Sequence, residues 1–338
     1  MSFGSKHSRG PTRRELLQAL PLAVVGAASC RRAAPYRRSD FTRPARSVVS
    51  LLPASSYAID LSDLIGRGLR DLDVDVRGRS VLLKPNMVEY VPASAINTDP
   101  LVVAGAAAAF LNAGAREVVV GEGPGHRRDI EYLLGASGLS GYLRDLKLRF
   151  VDLNHDDVRV VPLRSQFTGL SEMAFSVDLL RADFIVSLPK LKTHHWAAMT
   201  ASMKNLFGVV PGAVYGWPKN ILHFHGIENS IVDLNATIRP HFTIVDAIVA
   251  MEGDGPIMGT ARPVGCLVMG SDLVAVDATC ARLIGLDPAK VSYLAQAGEF
   301  LGNLDSARIE QRGESLARYQ TRFKMLDHFR DLQLPNRG

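Results

Sequence analysis

The stretch Ser187-Leu-Pro-Lys-Leu-Lys-Thr-His-His-Trp196 begins inside a largely apolar run, Phe184–Leu188, and carries two lysines and a pair of histidines. A third lysine, Lys204, comes ten residues after His194, and two more histidines follow further on. We expect residues 187–225 to form a loop–helix–loop segment that leaves a buried strand. A buried strand followed by a dense basic and imidazole cluster is typical of an α/β sheet with a binding site beyond its strand ends.

The same alternation of apolar runs and helical patterns extends along the chain. We predict helices over Leu61–Leu72 and Leu101–Asn112. The predicted buried strands are Val48–Leu52, Val81–Lys84, Glu117–Gly121, Leu148–Leu153, Phe184–Leu188, Phe242–Val249 and Val264–Met269. Continuous apolar strands that alternate with helices predict an α/β fold, a mostly parallel sheet with helices on both faces. We expect two lobes, with a cleft at the carboxyl ends of the strands.

Residues 1–34 have the pattern of an export leader. Thr12-Arg13-Arg14-Glu15-Leu16-Leu17 is a twin-arginine pattern, and the apolar run after it is too short to span a bilayer. This predicts the twin-arginine translocase as a partner and a periplasmic or extracytoplasmic location. Small residues before Cys30 leave lipid attachment open, so we expect membrane contact only through the leader or such an anchor.

After the leader we expect a linker at 35–46, an α/β domain at 47–300 and a helical extension at 301–338. Residues 1–46 hold ten of the 39 Lys and Arg residues and two of the 34 Asp and Glu residues. The rest of the chain is therefore slightly acidic, and its composition predicts no nucleic-acid partner. Cys266 and Cys280 lie in a predicted strand and helix, so we expect no Cys-ligated iron–sulfur cluster from this chain.

Polar motifs follow several of the predicted strands. Lys84-Pro85-Asn86 could point an ammonium and an amide into the cleft, or could only be a turn that ends the strand. Thr98 or Asp99, followed by Pro100, is a complete signal for the start of a helix.

A glycine-rich turn, Gly121-Glu-Gly-Pro-Gly-His-Arg-Arg128, lies between a predicted strand and a helix. Backbone N–H groups in such a turn can bind phosphate, although the spacing is that of neither a Walker loop nor a dinucleotide fingerprint. His126 at the tip suits an acid–base role near an anion, or is an exposed loop residue. From these motifs and the basic cluster, the candidate cofactor-binding residues are Lys84, Asn86, Thr98, Gly121, Gly123, Gly125, Lys192 and Lys204.

The basic cluster could bind an anion, a metal or both. Its histidines lack the HExxH and Cys/His zinc spacings, and His195 could simply pack beside Trp196. Acidic residues on later segments could hold a metal or fix the histidines, or could be turn residues only. These acidic candidates are Asp246, Glu252, Asp254 and Asp277.

Taken together, the motifs resemble the family of the domain of unknown function 362. The matching segments are LLKPN (82–86), TDP (98–100), GAREVVVG (114–121), LPKLKTH (188–194), MKNLFG (203–208), IVDAIVAMEGDGP (244–256) and SDLVAVDATCARLIGLDP (271–288). The activity of this family is largely not assigned.

The order and spacing of the motifs also look, more distantly, like those of lactate racemase, which uses a nickel-pincer nucleotide. The corresponding elements are Gly125-His126-Arg127, Lys192-Thr193-His194, Lys204, Pro211-Gly212 and His223 or His225. This resemblance implies that Lys204 carries the cofactor covalently, and that His223 or His225 ligates nickel. His126 and His194 would then be the paired acid–base groups.

The sequence thus predicts an exported, cofactor- or metal-dependent enzyme of the racemase, epimerase or oxidoreductase type that acts on a small anionic ligand. Two alternatives remain open at this point. One is an exported metal-binding redox partner, and the other is a non-catalytic module that binds a small anion.

Overall fold

The computed structural model describes residues 34–125 and 129–335. The predicted leader, Cys30 and His126 lie outside the described residues. The strands are β1 (Ser47–Pro53), β2 (Ser80–Pro85), β3 (Glu117–Glu122), β4 (Arg149–Asp152), β5 (Val158–Pro162), β6 (Glu172–Ser176), β7 (Phe184–Leu188), β8 (Lys190–His194), β9 (Ala198–Thr200), β10 (Phe242–Glu252), β11 (Thr260–Gly270) and β12 (Ile309–Gly313). Every strand predicted above is present, which confirms the reading of the apolar runs.

The helices lie between these strands. They are α1 (Leu61–Asp71), α2 (Pro100–Asn112), α3 (Ile130–Ala136), α4 (Leu139–Asp145), α5 (Val177–Arg181), α6 (Gly212–Tyr215), α7 (Asn220–Phe224), α8 (Ile227–Ile238), α9 (Leu273–Leu283), α10 (Ser292–Gly298) and α11 (Leu316–Tyr319). Short 3-10 helices occur at Arg38–Asp40, Lys204–Val209, Pro288–Lys290, Ser306–Arg308 and Asp327–Leu332. The predicted start of α2 is confirmed, because Asp99 accepts a hydrogen bond from the Leu101 amide and Pro100 is the first helical residue.

The main sheet has the strand order β12-β1-β11-β10-β7-β2-β3-β4. The run β10-β7-β2-β3-β4 is parallel throughout, whereas β11 pairs antiparallel with both β1 and β10. Parallel neighbours end at the same edge of a sheet, so β2, β3 and β7 bring their carboxyl ends together.

Alternate residues of β2 face opposite sides of the sheet, and each side is covered. Val81 and Leu83 pack with α1 and α2, whereas Leu82 packs with the 204–209 helix and with Leu234 of α8. Helices therefore lie on both faces, as predicted. From Pro35 onward the chain forms one compact unit, and the cleft lies at the strand ends within that unit.

The segment Lys190–His194 is a strand, not the loop that we expected. Proline 189 interrupts β7, but the chain continues along the same neighbour: Ser187 pairs with Thr243, and Lys190 and Lys192 pair with Asp246 and Met251 of β10. Proline has no N–H to donate to a neighbouring strand, so its presence at position 189 favoured the prediction that the strand ends there. Here it separates two strands that share one partner, so the lysines and His194 have fixed positions.

Both predicted end segments also differ from expectation. Residues 35–46 are not a free linker, since Tyr36 stacks on Phe300 with 3.9 Å between ring centroids and Phe41 is buried. The segment 301–338 is not a purely helical extension, because its strand β12 pairs with β1 at the edge of the sheet. The edge strand of a sheet has unpaired backbone N–H and C=O groups, so a segment that lies beside it can pair as a further strand. Local helical propensity does not predict such pairing.

Cys266 and Cys280 are buried and free, and burial raises the pKa of the Cys266 thiol to about 12. They behave as small apolar residues of the core. Within residues 34–125 and 129–335, no helix is long and apolar enough to cross a membrane.

Candidate functional site

A cavity of about 510 Å³ lies at the carboxyl edge of the parallel strands. Its polar lining includes Lys84, Lys192, Lys204, Lys219, His194 and His223. Lys84 ends β2, Lys192 and His194 belong to β8, and Lys204 begins the 3-10 helix that packs on the sheet. The sheet therefore gathers residues from separate segments into one cavity lined by four lysines.

The floor of the cavity contains a buried ion pair between Lys84 and Glu122. The Lys84 ammonium also donates to Pro85 O at 2.9 Å and to Asn205 Oδ1 at 3.1 Å. Glu122 accepts in addition from the Gly123 amide at 2.9 Å and from the Met87 amide at 3.3 Å. Burial lowers the pKa of Lys84, and the Glu122 carboxylate opposes that shift. The pair is thus fully hydrogen-bonded and joins the ends of β2 and β3.

Lys192 is fully buried, and its ammonium donates to Ile96 O at 2.7 Å. Within the described ranges no carboxylate lies within 4.0 Å of Lys192 or Lys204. Burial, then the charges of Lys204 and Lys190, place the pKa of Lys192 well below its usual range. A buried ammonium with one acceptor has N–H groups left for a ligand.

Lys204 lies against an aromatic ring, with its Nζ 3.7 Å from the centroid of Phe207. Burial, with a smaller contribution from Lys84, lowers its pKa to about 7. The backbone before it is anchored by Asp277, which accepts from the Ser202 amide at 2.7 Å and the Met203 amide at 3.0 Å. Lys204 is therefore an amine whose pKa lies near neutral pH.

His194 is almost fully buried, and its Nδ1 accepts from the Trp196 amide at 3.0 Å and the Ala197 amide at 3.2 Å. Burial, then the nearby Lys204 charge, place its pKa well below the usual range. Because Nδ1 is an acceptor, the neutral ring carries its proton on Nε2. This tautomer suits a neutral hydrogen-bond donor to an anion; the paired acid–base role that the racemase resemblance implies for His194 stays a prediction.

Aromatic rings form one wall of the cavity. The centroid of Trp196 lies 5.3 Å from that of His223, and that of Phe207 lies 6.4 Å from it, both nearly perpendicular. His195 lies beside Trp196 and 3.6 Å from Asp254. His225 lies outside the cavity, where its Nδ1 is 2.9 Å from Thr168 O. Of the two predicted nickel ligands, only His223 reaches the site.

The other predicted cofactor-binding residues, with Asp254, divide into residues that line the cavity and residues that do not. Asn86, Gly123, Gly125 and Asp254 line the cavity, whereas Thr98 and Gly121 do not. Thr98 Oγ1 donates to Leu188 O at 2.6 Å and accepts from the Asn86 amide at 2.9 Å, which fixes the β2 end against β7.

The acidic residues do not face the histidines as a group. Asp246 pairs with Lys190 and accepts from the Asp99 amide at 3.0 Å, while Glu252 accepts from the Lys324 amide at 3.0 Å. With Asp277 they lie outside the cavity. Among the described residues, no group of three or more His, Cys, Asp or Glu side chains is placed to hold a metal ion.

Sequence reasoning missed Glu122, Asn205 and Lys219. Glu122 lies in the glycine-rich turn and Asn205 lies in the MKNLFG segment. The sequence therefore did place a carboxylate and an amide inside motifs that were already identified. Lys219 is buried, donates to Val210 O and Gly208 O, and binds Asn154 Oδ1 at 3.1 Å. Asn154 in turn donates to Pro124 O at 3.1 Å, so Lys219 joins the segment after Lys204 to the glycine-rich turn.

Two solved structures show limited similarity to the chain. One is the lactate racemase apoprotein from Thermoanaerobacterium thermosaccharolyticum, with 12% identity, a TM-score of 0.38, and coverage of 66% of this chain and 56% of that one. The other is a structural-genomics target from Thermotoga maritima, with 15% identity, a TM-score of 0.37, and coverage of 65% and 58%. The chain thus spans little more than half of each of these proteins.

A curated protein has higher sequence identity to the chain than these two structures. A thylakoid-associated protein from Synechocystis sp. is 33% identical over 234 residues, which cover 67% of this chain and 68% of that protein. The family model described as domain of unknown function 362 matches residues 81–282, the span that contains the lysines and histidines of the cavity. The chain therefore belongs to the domain-of-unknown-function 362 family.

Proposed function

We propose that the chain is a cofactor-dependent enzyme that binds a small organic anion in the lysine-lined cavity, with Lys204 as its reactive amine. The observation that supports this most directly is the placement of Lys192 and Lys204 in one cavity with no carboxylate within ion-pair distance among the described residues. Uncompensated buried charge is costly, and an anionic ligand would relieve it.

The charges and tautomers assign distinct roles to the polar groups. The ammonium of Lys192 and the Nε2–H of His194 would donate to the anion and orient it. Lys204 would hold or release a proton at Nζ near neutral pH, because its pKa is about 7. The Lys84–Glu122 pair is hydrogen-bonded on all sides and would keep the floor rigid.

The donor set also fits a covalently attached anionic cofactor of the nickel-pincer type. An amine with a pKa of about 7 is an effective nucleophile for attachment, and Lys192 has donors left for a phosphate. His223 lines the cavity with His194 and His195, and it stands at a position that the racemase resemblance assigns to a nickel ligand. Such a group would supply hydride transfer, which none of the twenty amino-acid side chains provides.

Sulfate binding tests the anion site without any assumption about the natural ligand. Sulfate keeps its charge near neutral pH, whereas Lys204 loses its proton as the pH rises through about 7. We therefore expect sulfate affinity, measured by calorimetry, to fall as the pH rises through that value. Lys204→Met should weaken binding by about tenfold or more, and should flatten the pH profile.

A second titrating lysine and a control variant complete that experiment. Lys219 also has a pKa of about 7, but its ammonium is hydrogen-bonded to backbone carbonyls. If the pH dependence of sulfate affinity persisted in Lys204→Met, the titrating group would be a residue other than Lys204. Lys324→Ala is the matched control, since this lysine is exposed and outside the cavity. Equal sulfate affinity in all variants would contradict the proposed anion site.

Mass spectrometry of protein purified from its own host tests the covalent attachment. We expect a mass increment on the peptide that contains Lys204, absent from Lys204→Arg. Phosphate in the increment would agree with the cationic lining of the cavity. An unmodified Lys204 in active, natively produced protein would rule out attachment at this residue, while the anion site would stand.

A further inference from the structure

The outer part of the cavity is more apolar than the part lined by Lys192 and Lys204. Its walls are formed largely by apolar side chains: Met87, Val88, Trp196, Phe207, Ile257 and Met258. Trp196 is 58% exposed and Met258 77% exposed, and both line the cavity. Exposed large apolar side chains that line a cavity are characteristic of a ligand-binding surface.

The apolar wall and the lysine end of the cavity are joined through ring contacts. Trp196 contacts His223, His223 contacts Phe207, and the Phe207 ring lies against the Lys204 ammonium. A ligand with its charge near Lys204 would therefore lie along these rings as it extends toward the solvent.

We propose that the ligand is an amphipathic organic anion. Its carboxylate, sulfate or phosphate group lies at Lys192 and Lys204, and its apolar chain or ring lies on Trp196 and Met258. This inference rests on the proposed function, because it takes the lysine end of the cavity as the anion site. A bare inorganic anion would leave the apolar wall in water, whereas an apolar body would remove it from water.

A series of alkyl sulfates from methyl to octyl, used below their micelle concentrations, tests the inference by calorimetry. We expect roughly threefold to fourfold tighter binding for each added methylene, until the chain reaches solvent. Trp196→Ala should reduce this increment, measured as the slope of affinity against chain length. Phe224→Ala is the matched control, since Phe224 is 86% exposed and does not line the cavity.

Fluorescence gives a second measurement that does not depend on the Trp196→Ala variant. The chain has two tryptophans, so Trp217→Phe leaves only Trp196. Octyl sulfate should shift its emission to shorter wavelength, and inorganic sulfate should not.

The outcomes separate the two proposals. If inorganic sulfate binds but alkyl sulfates bind no more tightly, the amphipathic ligand is overturned and the anion site stands. If neither binds, the proposed function fails with it. A chain-length effect that survives Trp196→Ala, without a shift of Trp196 emission, would place the apolar body elsewhere and overturn the inference.

Discussion

Gly208→Ala is expected to destabilise the chain by about 3–5 kcal/mol, the cost of disrupting a buried ion pair. A Cβ at Gly208 would meet Glu122 Oε1 and Lys84 Nζ, and would approach Lys84 Cε to 2.6 Å. Both charged side chains are buried and hydrogen-bonded, so neither can move without leaving a charge uncompensated. The φ angle of Gly208 is not in the left-handed region, so the expected effect is steric.

Urea unfolding followed by circular dichroism measures this loss. Gly141→Ala is the matched control, since it lies in α4 with nothing within 4 Å of an added Cβ. Alanine is favoured over glycine in a helix, so this control should be slightly stabilised, by about 0.5–1 kcal/mol. An unfolding midpoint for Gly208→Ala equal to that of the unmodified chain would show that the floor is not packed as described.

Breaking the Lys84–Glu122 pair from one side is the second large effect. We expect Lys84→Met and Glu122→Gln each to lower the free energy of unfolding by about 3–5 kcal/mol, because each leaves one buried charge without its partner. The double variant removes both charges, and the single glutamine oxygen keeps an acceptor for one of the Gly123 and Met87 amides, which bond different oxygens of Glu122. It should therefore lose much less than the sum of the single variants.

A double-mutant cycle by urea unfolding measures the coupling. Arg77→Met tests an exposed pair with Asp75, and we expect no measurable change from it. Additive losses in the Lys84 and Glu122 variants would mean that the two charges do not interact, and would contradict the ion pair as the organising contact of the floor.

The electrostatics of the cavity explain why these two positions matter beyond stability. Glu122 is the carboxylate that opposes the charge of Lys84. With that pair satisfied internally, Lys192 and Lys204 supply the positive charge that a ligand would meet. Removal of Glu122 would therefore change both the stability of the floor and the pKa of its neighbours.

Local sequence was sufficient for seven of the twelve strands in the described residues and for the helices predicted at Leu61–Leu72 and Leu101–Asn112. Runs such as Val81–Leu83 are apolar on both faces, which only a sheet covered on both sides can bury. Asp99 and Pro100 specify a helix start by chemistry that acts within a few residues. The position of the cluster at the strand ends was predictable for the same reason, since parallel strands end at one edge.

The contacts within the site could not be read from the chain, because they join segments far apart. Lys84 meets Glu122 across 38 residues and Asn205 across 121. Whether His223 or His225 enters the cavity depends on how α7 is turned, and the strand role of Lys190–His194 depends on β10 continuing past Pro189.

The sequence by itself determined the α/β class, the order of its elements and the set of lysines and histidines at the strand ends. Those features follow from hydrophobic periodicity and turn chemistry, which are local. Only the tertiary structure decided that Lys84 is neutralised by Glu122, that His194 carries its proton on Nε2, and that Lys192 and Lys204 line one cavity with no carboxylate of the described residues within 4.0 Å. These depend on burial and on hydrogen-bond partners contributed by distant segments, which only the folded chain brings together.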